Sequence, residues 1–181
     1  MPSRELTCRC GKVHMSVIDA PLLVVECQCE SCRKASAQLA ALPGGMRPVA
    51  GTAGGTHYLM YRKDRASITA GAENLVAYRL TDKSHTRRIV AGCCNTPLFA
   101  EFEGGHWLSM YAGLWPETVR PAATMRTMVS DMPPGQQVPD DIPSARKQSL
   151  GFVWALLSAW AAMGFRAPKI AVAEEKVWDV A

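Results

Sequence analysis

Between residues 12 and 18 apolar and polar side chains alternate, with Val13, Met15 and Val17 on one side, the period-two signature of a half-buried strand. Asp19-Ala20-Pro21 breaks that pattern, and the apolar run at 22–25 predicts a short buried strand leading into Cys27. Residues 33–41 predict a short helix with Cys32 near its N-terminus and Pro43-Gly44-Gly45 at its end. Residues 46–56 read as a loop; the glycines at 51, 54 and 55 lack the Gly-Lys-Ser/Thr and strand-to-helix setting of a phosphate loop, so a plain turn is expected. Strands are predicted at 57–61 and 75–80, then a turn at 81–84, a return strand at 85–90 and a short strand within 107–114.

The pattern changes after Trp115-Pro116. Pro133, Pro134, Pro139 and Pro143 mark residues 130–143 as a linker, in which Asp140 and Asp141 read as solvated loop charges. Ser144 is placed to cap a helix running to about Gly164, halted before Pro168. Leu150, Val153, Trp154, Leu157 and Ala161 form one apolar stripe of this helix, and Phe152, Leu156, Ala159 and Met163 form another. A helix apolar on two sides packs on its own domain or on a second copy, so a homodimer contact through 144–164 is one expectation. Its apolar length, about 24 Å at 1.5 Å per residue, falls short of the roughly 30 Å hydrocarbon core of a membrane. The expected division is a β domain over 1–115 and an extension over 116–181.

Composition narrows the function. The 181 residues are 48% hydrophobic and 20% charged, which describes a folded chain, and the net charge of +4 comes from scattered cations, so nucleic-acid binding is not expected. The first residues carry no apolar leader pattern and no run is long enough to span a bilayer, so a reducing cytoplasm is the expected compartment. There, clustered thiols are more often metal ligands than disulfides.

Three of the seven cysteines lie within six residues, at Cys27, Cys29 and Cys32; Cys8 and Cys10 form a C-x-C pair, and Cys93 and Cys94 are adjacent. Residues two apart in an extended strand share a face, so Cys8 and Cys10 can aim at one ion, with Gly11 allowing a sharp turn. The spacing favours zinc over buried apolar thiols or a redox pair, because Cys29-x-x-Cys32 has no βαβ context. Three thiolates without a fourth ligand nearby fit an open zinc site rather than a closed structural one. His14, His57, His85 and His106 read as structural or exposed, with a fourth-ligand or proton-shuttle role as the alternative.

Together these motifs resemble the family of glutathione-dependent formaldehyde-activating enzymes and their centromere-protein-V relatives. Cys8-Arg9-Cys10-Gly11 matches its C-x-C-G. Cys27-Gln28-Cys29-Glu30-Ser31-Cys32-Arg33 matches its C-x-C-x-x-C-R, and Arg87-Arg88-Ile89-Val90 followed by Cys94-Asn95-Thr96-Pro97-Leu98 resembles its third motif. The likeness covers about residues 7–113. It implies a mainly β fold of small twisted antiparallel sheets around zinc sites, here with a C-terminal apolar α-helix. It further implies one structural zinc on the C-x-C pair and the downstream thiols, and one open zinc on Cys27, Cys29 and Cys32 that meets the glutathione thiol. The implied activity is a carbon–sulfur lyase acting on a glutathione (thiol)–aldehyde adduct, with formaldehyde as the aldehyde; Arg33 or Lys34 could then meet a glutathione carboxylate. The alternatives are a non-catalytic zinc-stabilised scaffold and a glutathione carrier.

Two departures stand out. Ala91 occupies the position of the first cysteine of the downstream C-x-x-C, and Asn95 that of its glycine. Asn tolerates the left-handed backbone. Alanine cannot ligate, which leaves three outcomes: Cys93 substitutes, a water or histidine completes a three-thiolate site, or the structural zinc is lost.

Overall fold

The computed structural model describes residues 3–46 and 48–178. Met1, Pro2, Arg47 and 179–181, which belong to the expected lead-in, the 46–56 loop and the extension, lie outside the described residues. Among the described residues, eleven strands and two α-helices make the chain mainly β with a C-terminal helix: β1 (Ser3–Thr7), β2 (His14–Ile18), β3 (Leu23–Cys27), α1 (Glu30–Ala41), β4 (Thr56–Arg62), β5 (Ala66–Ala70), β6 (Leu75–Arg79), β7 (Thr86–Ala91), β8 (Thr96–Phe102), β9 (Trp107–Tyr111), β10 (Met125–Thr127), α2 (Leu150–Ala162) and β11 (Glu174–Val177). They build a three-stranded sheet, β1-β2-β5, and an eight-stranded sheet in the order β10-β3-β4-β9-β8-β7-β6-β11.

The six inner strands of the large sheet pair antiparallel, but both outermost strands are parallel to their neighbours: β10 to β3 and β11 to β6. Both come from the region expected to be an extension. The sheet is therefore larger than the small antiparallel sheets the sequence predicts, because short segments after residue 124 find their place only by pairing with distant edges.

Both faces of the large sheet are covered, which explains why β4 is buried from Thr56 to Tyr61 without alternation. One face (Leu59, Ile89, Phe99, Met110) packs on Leu6, Met15 and Val17 of the small sheet. The other (Val25, Tyr58, Met60, Val90) takes Leu39 of α1 and Phe152 and Leu156 of α2. Successive residues of a strand point to opposite faces, so Arg87 and Arg88 part company on β7. Arg87 joins Ile89's side and Arg88 joins Val90's. Leu98 is an extra residue where Ile89 pairs with Phe99 and Val90 with Pro97, a bulge that lets a proline sit inside the sheet.

Helix α2 begins at Leu150, capped by Ser149, whose Oγ accepts from the Phe152 N–H at 3.1 Å. It starts later than the Ser144 cap predicts because 144–145 are engaged with β10: the Ala145 N–H donates to the Arg126 carbonyl at 2.9 Å. Its stripes separate as the spacing predicts. Ala159 and Met163 are buried, while Leu150 and Trp154 are 90% and 72% exposed. Trp160 stacks on His106 (5.8 Å between centroids), and Trp107 meets the imidazole in a T-shaped contact at 5.0 Å. Among the described residues no helix is long and apolar enough to cross a membrane.

Burial lowers the His106 pKa below its ordinary value, and Lys63 and Arg62 push it the same way against a backbone acceptor at Leu156. A folded-state value below the unfolded one means that the neutral ring stabilises the fold above about pH 6.5. That contribution is lost as pH falls through the lowered value. Acidification should therefore loosen α2 and change tryptophan fluorescence in a step that His106→Phe lacks. If that variant keeps the step, the transition belongs elsewhere, for instance to His57, whose pKa burial also lowers.

Candidate metal centres

The chain turns sharply after β1. Gly11 takes φ +73° and its N–H donates to the Cys8 carbonyl at 2.9 Å. Cys8 and Cys10 thus sit on a turn rather than along a strand, and the turn brings their sulfurs to 3.6 Å. Across from them, the β7–β8 turn carries Cys93 and Cys94. Asn95 takes the left-handed conformation, φ 52°, and its amide donates to the Pro43 carbonyl at 3.0 Å. Asn thus does the glycine's conformational work and adds a bond that glycine could not.

Cys93 Sγ lies 3.9 Å from Cys8 Sγ, 3.3 Å from Cys10 Sγ and 4.0 Å from Cys94 Sγ. A tetrahedral zinc with bonds of about 2.3 Å requires sulfurs about 3.8 Å apart. The four thiols lie within 4.8 Å of one another and fit that ion. Cys93 and Cys94 both fall in this group although adjacent, on a turn closed by the Cys94 N–H on the Ala91 carbonyl at 3.1 Å. Ala91 itself is the fully buried last residue of β7. The Thr96 hydroxyl, 3.1 Å from Cys94 Sγ, and backbone donors at Cys10 and Thr96 hold the Cys94 pKa down at about 6 against the opposing effect of burial.

The second group forms where β3 ends and α1 begins. Cys27 closes the strand; Cys29 is the helix N-cap, its Sγ accepting from the Cys32 N–H at 3.3 Å. Between them Gln28 is fully buried, with its N–H on the Thr127 carbonyl at 2.9 Å. Gly55 leaves room for it: a Cβ there would meet the Gln28 amide nitrogen at 2.4 Å. The three sulfurs lie within 4.8 Å of one another, and among the described residues no histidine, carboxylate or further thiol joins them. Hydrogen bonds from Cys29 and Cys32 lower the Cys27 pKa to about 3, while donating to Cys27 raises Cys29 to about 11 and Cys32 also upward. The Tyr58 hydroxyl adds a donor to Cys32 Sγ at 3.6 Å, and burial raises the phenol's own pKa, so it stays protonated.

The two groups sit at opposite ends of α1, whose 12 residues span about 18 Å. The Arg9 guanidinium ties the four-thiol turn to the far end of the helix, donating to the Gly44 carbonyl at 2.9 Å and the Cys94 carbonyl at 3.3 Å.

The three-thiol group opens onto a cleft of about 710 Å³, within the range of small-molecule sites. Its far wall is α2. Arg33 and Lys34 are not part of its lining. Arg33 donates to the Gln28 carbonyl and, at 2.5 Å, to the Asp131 carbonyl, fastening the loop over the helix start; Lys34 pairs with Glu30 at 3.5 Å. The lining cation is Arg88, 2% exposed, with its guanidinium on the Ser31 Oγ at 2.6 Å and the Thr86 carbonyl at 3.0 Å. In the sequence Arg88 stands out only as part of the third motif, with no role assigned to it. The signal was there, since Arg87-Arg88 inside a strand must send one cation to each face. Asp141, read as solvated, holds fully buried Arg126 at 2.6 Å, and Arg126 in turn reaches Glu26 of β3 at 2.9 Å. His14, His57, His85 and His106 belong to neither thiol group.

The family model for glutathione-dependent formaldehyde-activating enzymes matches residues 3–129. Among solved structures, a Rhodobacter sphaeroides protein is similar with 18% identity and a TM-score of 0.44, over 65% of this chain and 92% of that one. No curated protein matches.

Proposed function

The chain belongs to the family of glutathione-dependent formaldehyde-activating enzymes, and from that premise we propose that it is a zinc-dependent carbon–sulfur lyase of thiol–aldehyde adducts. The observation that carries this reading is the three-sulfur group facing an open cleft with no fourth ligand among the described residues. Cys27, Cys29 and Cys32 would hold a zinc; Cys8, Cys10, Cys93 and Cys94 would hold a second, structural one. When bound, the open zinc supplies a position that takes a substrate sulfur as its thiolate. Cys29 and Cys32 sit at the start of α1, where the helix dipole favours anionic sulfur, and the Tyr58 hydroxyl stabilises the charge on Cys32. Arg88, through Ser31, fixes the first turn of α1. In the cleaving direction the carbon–sulfur bond breaks with its electron pair staying on sulfur. The hydroxyl-bearing carbon becomes a carbonyl, and its proton passes to water at the cleft mouth. Nothing is oxidised or reduced.

The exposed stripe of α2 supports a second reading, a scaffold that associates through Leu150, Trp154 and Leu157. Metal analysis tests the first: native protein should carry two zinc ions per chain, and Cys29→Ser/Cys32→Ser should carry one while staying folded and losing adduct cleavage. Unchanged cleavage in that variant sinks the lyase reading. For the scaffold, Trp154→Lys should abolish any self-association seen by sedimentation.

A further inference from the structure

The cleft is unlike a glutathione site in its charge. Glutathione presents two carboxylates. The charged residues lining the cleft are Glu30 and Asp131 against Arg88, and three thiolates around one zinc add a further formal negative charge. Arg88 is the single lining cation against these two acids among the described residues; its terminal nitrogens bond Thr86 and Ser31, which leaves the buried Nε as its unpartnered donor. The remaining wall is largely apolar: Met60, Ala100, Phe102 and Trp107 from the sheet, Phe152 and Leu156 from α2. The helical part of that wall lies beyond residues 3–129, outside the region that the family model matches.

Resting on the reading of Cys27, Cys29 and Cys32 as a thiol-accepting centre, we propose that the cleft takes a thiol with an apolar body and no net negative charge, or its aldehyde adduct, in preference to glutathione. The sulfur lies at the cysteine trio and the apolar body runs along the groove between Trp107 and α2. Each methylene buried there tightens binding about fourfold, the equivalent of about 0.8 kcal/mol.

The test uses full-length protein loaded with cobalt(II), whose thiolate charge-transfer band reports a sulfur entering the open position. Ethanethiol, butanethiol, hexanethiol and glutathione are titrated separately. Affinity should rise about fourfold per methylene through the alkyl series, with glutathione weaker than butanethiol. Phe152→Ala/Leu156→Ala should flatten the series while leaving the thiol-free cobalt spectrum unchanged. Glutathione binding tightest, or a flat alkyl series on native protein, overturns the proposal and leaves the lyase reading standing. If no thiol alters the band, the thiol-accepting centre itself falls, and the proposal with it.

Discussion

Cys93→Ala should remove one zinc per chain and with it the cooperative fold. A structural zinc bound by four sulfurs contributes roughly 10–16 kcal/mol in small zinc domains, while a whole domain is stable by only about 5–15 kcal/mol. The four thiols come from the turn after β1 and the β7–β8 turn, so an ion held by them would join the two sheets across more than eighty residues of chain. Losing the ion frees both turns, and Arg9 then no longer anchors the far end of α1. Zinc content and the near-ultraviolet circular dichroism of the variant check this together. If Cys93→Ala keeps two zincs and a native melting curve, the adjacent pair does not ligate as a pair, and Cys8, Cys10 and Cys94 suffice. Chelation of the native protein should reproduce the variant's unfolding.

Glu101→Gln should cost about 3–5 kcal/mol, the usual penalty for stranding a buried charge. Glu101 is 3% exposed and faces two cations that are as buried as it is: Lys63 Nζ at 2.5 Å and the Arg87 guanidinium at 2.6 Å. Arg87 keeps a second carboxylate, Glu175, at 2.8 Å, but Lys63 retains only the Pro168 carbonyl at 2.6 Å. The swap preserves volume, so a loss reports charge. Urea midpoints would measure it, and adding Lys63→Met should restore much of the loss. A shift under about 1 kcal/mol would mean that water reaches the cluster. The carboxylate also holds the segment after α2, through the Ile170 N–H and through both cations' bonds to the 168–170 backbone. Its loss should therefore loosen the helix that walls the cleft.

How far the sequence revealed this depended on whether the deciding contacts were local. The alternation at Val13, Met15 and Val17 and the apolar run before Cys27 became β2 and β3, because period and burial agree there. The two stripes of α2 were legible too. Which one faced inward was not, since both are apolar and the choice rests on Trp160 meeting His106. β8 was hidden behind its own motif: Pro97 argues against a strand until the bulge at Leu98 is known. β11, Glu-Glu-Lys-Val and exposed throughout, has no strand signal of its own and exists by pairing with β6. Asp141 looked like a linker charge for the same reason, since its partner Arg126 belongs to a strand that exists only by pairing with β3. The three-thiol group was legible from spacing, whereas the joining of Cys8 and Cys10 to the downstream thiols came from the family resemblance. Cys93's place among the four stayed one of three outcomes, because it depends on how one turn folds.

The placement of β10 and β11 also sets an order of assembly during synthesis. Every thiol of both groups has been made by residue 94, whereas the strand that closes the β6 edge ends at Val177. At typical elongation rates of about 5–20 residues per second, the interval is roughly 4–17 s. For that time a nascent chain can hold metal while the long sheet still shows raw hydrogen-bonding edges. Chaperone dependence should therefore be greatest for chains stalled or truncated between those two points, and the last four-residue strand acts as the seal that ends it.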